Sequence, residues 1–269
     1  MWRYCPNLQR LDLSNADLTA PLPASVEFLR LRGCCLSASC FTAGRSTSRL
    51  REVELRAVEL RRGSLTALPD SVQRLALNDT EVTSQCLAPL PGHDPAANGV
   101  TELDLSDNDQ LDQLVSPLVV AYIAETFSQV KVLKINRCQG YCYCLYLVAF
   151  AEHPLEALEV QESLINDDDI RVYLPVSLRR LNIAGCQRVT LAGAIHMEAE
   201  LTNLQYLDVR GCPGLMDKAV LRYLNLPTNN EPLDDYESLQ TMMPQCEVVP
   251  VPAYLAAQQR LAALVRSRS

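Results

Sequence analysis

The chain is short of the residues that carry most enzyme chemistry. Only three of its 269 residues are histidine, and Lys occurs only at 131, 134 and 218. A general base poised near neutral pH is most often a histidine. His93 falls in a predicted loop, His153 precedes a proline and His196 lies on a predicted helix, so each reads as a solvated or packed side chain. No glycine-rich loop able to cradle phosphate is present. Gly33, Gly185 and Gly211 each stand alone before a cysteine and read as turn residues. No run reaches the ~18 apolar residues that a membrane-spanning helix needs. The opening Met1-Trp2-Arg3-Tyr4-Cys5-Pro6 lacks the apolar segment of a secretory signal. Basic charge is also in deficit, with 24 Lys and Arg against 32 Asp and Glu and a net charge of −8. That balance argues against nucleic acid as the main partner.

Cysteine is plentiful, at 11, an odd number. Together with the missing signal, this points to free thiols in a reducing, intracellular compartment, most simply the cytoplasm. Asn78-Asp79-Thr80 forms a glycosylation sequon and is read as chance on the same ground. Cys138, Cys142 and Cys144 in "CQGYCYC" have a spacing that three metal thiolates could share, but a fourth ligand is lacking nearby. Asn166 to Ile170, "NDDDI", lacks the rest of a calcium loop and reads as the acidic start of a helix. Neither a metal nor a cofactor is expected.

What the chain does have is repetition. Nine hexamers share the pattern apolar-x-x-apolar-x-apolar: "LQRLDL" from Leu8, "VEFLRL" from Val26, "LREVEL" from Leu50, "VQRLAL" from Val72, "VTELDL" from Val100, "VKVLKI" from Val130, "LEALEV" from Leu155, "LRRLNI" from Leu178 and "LQYLDV" from Leu204. Their starts lie about 18 to 30 residues apart, the spacing of a solenoid repeat. Position nine of the repeat holds Cys34, Cys138, Cys186 and Cys212, with Thr80, Asn108 and Ser163 elsewhere. A small side chain with a weak donor suits the point where the chain turns away from a strand. A second motif, Leu-Pro-x-Ser, precedes the hexamer three times: Leu22 to Ser25, Leu68 to Ser71 and Leu174 to Ser177. Its proline cannot continue a helix and biases the approach toward extended backbone.

On these residues the chain resembles the leucine-rich-repeat family. "LRRLNIAGCQRV" and "LQYLDVRGCPGL" are similar to the repeats of its cysteine-containing, F-box-associated class, although no F-box segment occurs here. The resemblance implies an α/β solenoid, a leucine-rich-repeat horseshoe of about nine repeats with a parallel sheet on its concave side. Early return limbs carry Pro, Ser and Thr and are expected to be extended or 3₁₀. Later limbs show helical periodicity, beginning with Ser116 and Pro117 as cap and first turn. Because a helix is wider than a strand spacing, curvature should be stronger after residue 110. Residues 1–250 are assigned to the array, with a closing strand near its end, and 251–269 to an amphipathic C-terminal helix. Only seven residues precede the first hexamer, so its apolar layer is expected to be covered by another chain or a missing segment.

The period-two alternation leaves three columns of outward side chains on the sheet. Partner-binding candidates on them are Arg10, Asp12, Phe28, Arg30, Arg32, Glu54, Arg56, Asp104, Lys134, Glu159, Arg180, Asn182, Tyr206, Asp208 and Arg210, with the Arg and aromatic residues at the two ends the expected hot spots. The expected function is a non-enzymatic protein–protein interaction scaffold, as a structural subunit of a large assembly, binding through the strand face and the array ends. The alternative is the substrate-recognition module of a cullin-type ubiquitin ligase, a role the resemblance implies, with its adaptor supplied by another chain. Protein partners of unnamed identity follow from either.

Overall fold

The structure, a computed structural model, describes residues 5–42, 48–89, 99–108, 117–138, 142–215 and 247–249. In chain order the first elements are β1 (Arg10–Ser14), β2 (Asp17–Leu18), β3 (Phe28–Arg32), β4 (Cys35–Leu36), α1 (Ser39–Thr42), β5 (Glu52–Arg56), β6 (Glu59–Leu60), β7 (Arg74–Asn78) and β8 (Glu102–Asp104). There follow α2 (Pro117–Thr126), β9 (Val132–Lys134), α3 (Cys142–Ala149), β10 (Ala157–Glu159), α4 (Asp167–Tyr173), β11 (Arg180–Asn182), α5 (Leu191–Glu200), β12 (Tyr206–Asp208) and β13 (Glu247–Val249).

Each hexamer becomes one strand, and each strand pairs in parallel with those of the neighbouring repeats. The main sheet has ten strands in the order β1-β3-β5-β7-β8-β9-β10-β11-β12-β13. Register is unbroken. Leu11 pairs with Leu29, then Val53, Leu75, Leu103, Leu133, Leu158, Leu181, Leu207 and Val248. From Leu11 to Leu207 every member of this row is buried. The same residues belong to one continuous apolar core. Each such side chain contributes roughly 1.5–3 kcal/mol by leaving water, but only because the next repeat closes over it. In the first repeat Leu8 and Leu13 are half-buried, whereas their counterparts Val26 and Leu31 are closed. The closing strand expected near residue 250 is present as β13. The amphipathic helix expected at 251–269 and the helix marked by Val220 and Leu224 lie outside the described residues.

The return limbs change character along the chain as expected. Early limbs run extended as β2, β4 and β6, which form their own three-stranded parallel sheet, or as turns at 62–67 and 84–87. The single helical turn α1 was not foreseen. From residue 117 the limbs are α2, α3, α4 and α5. Their sequence signals are visible in place. Thr190 caps α5 by accepting from the Ala192 amide. Asn166 caps α4 in a reciprocal capping box with Asp169, so "NDDDI" is a helix start. Phe127, Tyr146 and Phe150 fill the space behind the strands in these wider limbs.

The Leu-Pro-x-Ser motif proves to be a turn rather than a straightened approach. Each proline carbonyl accepts from the first residue of the next hexamer, Pro23 from Val26, Pro69 from Val72 and Pro175 from Leu178, at 3.0–3.1 Å. The serine, which the sequence reading passed over, ties the turn to the previous repeat. Ser25 donates to the Leu8 carbonyl (2.9 Å), Ser71 to Leu50 (2.8 Å) and Ser177 to Leu155 (2.7 Å). The acceptor is the first hexamer residue each time.

Position eight differs from expectation in the same instructive way. Glycine was expected to mark the turn, yet all nine repeats have positive φ there, from Asn15 (53°) and Ala57 (50°) through Arg137 (53°) and Glu162 (52°) to Gly211 (73°). The left-handed residue aims its N–H at the following repeat. Gly33 donates to the Arg56 carbonyl (3.0 Å), Arg137 to Gln161 (2.8 Å) and Glu162 to Ala184 (2.8 Å). The inter-repeat bond is retained even where the side chain opposes the geometry.

Candidate functional site

One face of the sheet packs against the core and the other carries the three outward columns in register. The middle column runs Asp12, Arg30, Glu54, Ala76, Asp104, Lys134, Glu159, Asn182, Asp208, each paired to the next across the strands. With adjacent strands ~4.8 Å apart, a long basic side chain on one strand reaches carboxylates on both flanking strands. Arg30 does so, lying 3.7 Å from Asp12 and in a short ion pair with Glu54. Its guanidinium is accordingly held above its usual pKa by the Glu54 hydrogen bond. Arg74 spans Glu52 (3.8 Å) and Glu102 (3.2 Å). Lys134 spans Glu102 (2.8 Å) and Glu159 (3.7 Å). Partial burial disfavours the Lys134 charge, but Glu102 and Glu159 outweigh it and raise its pKa.

Not all outward positions face solvent. Phe28 is only 7% exposed, because the Arg10 guanidinium lies 4.2 Å from its ring centroid and that of Arg30 5.1 Å. Arg180 lies over the Tyr206 ring at 5.1 Å. Asp208 is fully buried under Arg210, which grips it through Nε and Nη2 at 2.6–3.0 Å. Asn182 bonds along its own chain, accepting from the Ala184 amide at 3.1 Å. Arg32 and Arg56 are exposed and directly opposed in register. The fifteen candidates therefore share one face but not one role. Glu52, Arg74 and Glu102, absent from the candidates, complete its ion-pair network. Alternation of sign across the register was the signal that could have found them.

The cysteine column is part of the scaffold. Cys34 donates to the Leu13 carbonyl (3.5 Å), Cys138 to Leu105 (3.6 Å), Cys186 to Val160 (3.1 Å) and Cys212 to Ile183 (3.0 Å). Thr80, Asn108 and Ser163 replace the thiol with hydroxyl or amide donors to Leu55, Leu77 and Ile135. Each acceptor is the sixth hexamer residue of the repeat before. Burial pushes the Cys186 thiol up to about 12 and the Cys212 thiol up to about 11, so both remain protonated donors at neutral pH. Among the described residues no group of three His, Cys, Asp or Glu side chains is arranged to hold a metal ion. The side chain of Cys142 is outside the described residues, while Cys144 points its thiol at Asp169 (3.6 Å).

Two of the other singled-out groups make structural contacts. His153 packs on Phe150 (centroids 4.6 Å apart) with Nε2 3.1 Å from the Ala124 carbonyl. The Asn78 amide donates to the Ser106 carbonyl (3.0 Å). Among the described residues no helix is long and apolar enough to cross a membrane.

This arrangement is an α/β leucine-rich-repeat solenoid. It matches the crystal structure of human 5T4 (Wnt-activated inhibitory factor 1, trophoblast glycoprotein) with a TM-score of 0.52 over 75% of this chain and 77% of that one, at 19% identity. A structure of a TLR13–ssRNA13 complex matches with a TM-score of 0.44, 17% identity, and coverage of 76% of this chain and 36% of that chain. The 5T4 structure is that of a leucine-rich-repeat protein. No known family profile matches the sequence, and no curated protein matches it.

Proposed function

We propose that the chain is a non-enzymatic protein-binding scaffold of the cysteine-containing repeat class, held as a fixed subunit of a larger assembly. Its partners meet the open strand face and the ends of the array. The observation that carries this reading is the face itself, a row of charged and aromatic side chains displayed in register on a rigid sheet and braced between repeats by Arg30, Arg74 and Lys134. Such pre-ordered side chains lose little conformational freedom when a partner docks. Residues 1–250 form the array in this reading, and 251–269 add a separate amphipathic element. Nine described cysteines are free thiols, which supports a reducing, cytoplasmic setting.

Affinity purification of the tagged full chain, with quantitative mass spectrometry, tests the proposal. A small set of proteins in fixed ratio is expected. Recovery of a cullin and its adaptor would instead make the chain a ligase's recognition module. Turnover of a substrate by the purified chain alone, or purification with no stable partner, overturns the scaffold reading.

A further inference from the structure

Among the described outward strand positions, nearly every charged side chain meets an opposite charge or an aromatic ring within the face. Arg10 and Arg180 lie over rings; Arg30, Arg74 and Lys134 each span two carboxylates; Arg210 grips Asp208. Three residues are exceptions. Arg32 and Arg56 are exposed, directly opposed on β3 and β5, and within ion-pair distance of no described carboxylate. Asp104, on β8, accepts from the Asn78 amide (3.4 Å) and the Ser106 N–H (2.9 Å) but has no described cation at ion-pair distance, acting on Lys134 and Arg137 only at longer range. Arg56 acts only at longer range, helping to lower the pKa of Asp107, which Arg137 already holds by direct hydrogen bonds.

The three exceptions surround one spot. The middle column alternates in sign: Asp12, Arg30, Glu54, then Ala76, then Asp104, Lys134, Glu159. Ala76 occupies the rung where a cation would continue the alternation, and its side chain is too short to reach either neighbour. Glu54 and Asp104 flank it from strands two spacings apart, about 9.5 Å. Arg30 bridges carboxylates across that same two-strand interval. Directly opposed like charges such as Arg32 and Arg56 destabilise a sheet, so the pair weakens the free scaffold.

From this pattern we infer that repeats two to five form a charge-complementary docking point for an extended protein segment. A Lys or Arg of that segment seats over Ala76 between Glu54 and Asp104. An Asp or Glu of the same segment seats against Arg32 and Arg56. The rung over Ala76 and the midpoint of Arg32 and Arg56 are one and a half strand spacings and two residues apart, about 10 Å. The two partner side chains therefore lie about three residues apart in extended chain. The inference rests on the open face being a binding surface, and it assigns that surface a centre and a partner chemistry.

Selection of a phage-displayed random dodecapeptide library on the purified full chain tests it. Enriched peptides are expected to carry a basic and an acidic residue about three positions apart. A selected peptide should bind Arg32→Ser/Arg56→Ser about tenfold more weakly, equivalent to ~1.4 kcal/mol, and lose its dependence on the acidic residue. Ala76→Lys should remove the dependence on the basic residue by filling the rung internally. Thermal melts should show both variants at least as stable as the parent, which separates lost contact from lost fold. No enrichment, enrichment without the charge pair, or equal binding to the parent and both variants overturns the inference. These outcomes leave the purification test of the scaffold reading untouched.

Discussion

Single residues in this fold trade intrinsic preference for inter-repeat bonding. Ala57 holds φ 50° although a Cβ disfavours that region by roughly 1–2 kcal/mol. Glycine costs about 0.5–1 kcal/mol in unfolded-state entropy, so Ala57→Gly is expected to stabilise the chain by about 0.5–1 kcal/mol in a denaturant melt. Gly211→Ala, at φ 73°, should lose about 1 kcal/mol. The buried thiols give a pH signature. Cys186 and Cys212 titrate near 12 and 11 in the fold against 9.0 as the ordinary value. Their contribution is therefore complete below pH 9 and is lost as pH rises through the folded values. The unfolded chain releases protons first, so stability should fall above pH 9, by up to about 1.4 kcal/mol per unit for each thiol. Urea melts at pH 8, 9 and 10 would check this. Native alkylation at pH 8 should label exposed Cys5 well before either.

At the scale of elements, the strands were legible in the sequence and the joints were not. Hexamer periodicity assigned each strand its inward row, because a half-buried strand cannot shift by one residue without inverting its faces. The late helices were legible through periodicity and caps. The position-eight turn escaped notice at Ala57, Arg137 and Glu162, because their local preference contradicts the conformation that the next repeat imposes. The Leu-Pro-x-Ser serine escaped because its acceptor is 17 to 22 residues away in the chain. Ser71→Ala and Ser177→Ala should each cost about 1 kcal/mol. Limbs are also stitched to one another. Asp167, in the first turn of α4, accepts from the Thr190 amide (2.8 Å) and hydroxyl (2.6 Å) at the cap of α5. Asp167→Ala should lower stability by about 1 kcal/mol and raise amide exchange at Thr190.

For the whole molecule, the ladder of leucines makes stability a property of neighbours. Leu133→Ala in the middle of the array should cost 2–5 kcal/mol and loosen repeats on both sides of β9, which hydrogen exchange would resolve repeat by repeat. The open face was legible only in part. Its columns followed from periodicity, but Phe28 beneath Arg10 and Asp208 beneath Arg210 depend on side-chain reach across strands, which spacing alone does not give.

The cysteine-column and serine bonds share a direction. In each, the donor belongs to the later repeat and the acceptor is a carbonyl of the repeat already formed. A ribosome releases the chain in that order. A repeat that emerges with such a donor thus meets its acceptor on a repeat already made, and growth can proceed like masonry laid course upon course. Nascent chains stalled after successive repeats should gain protease resistance one step at a time, beginning at the amino-terminal end.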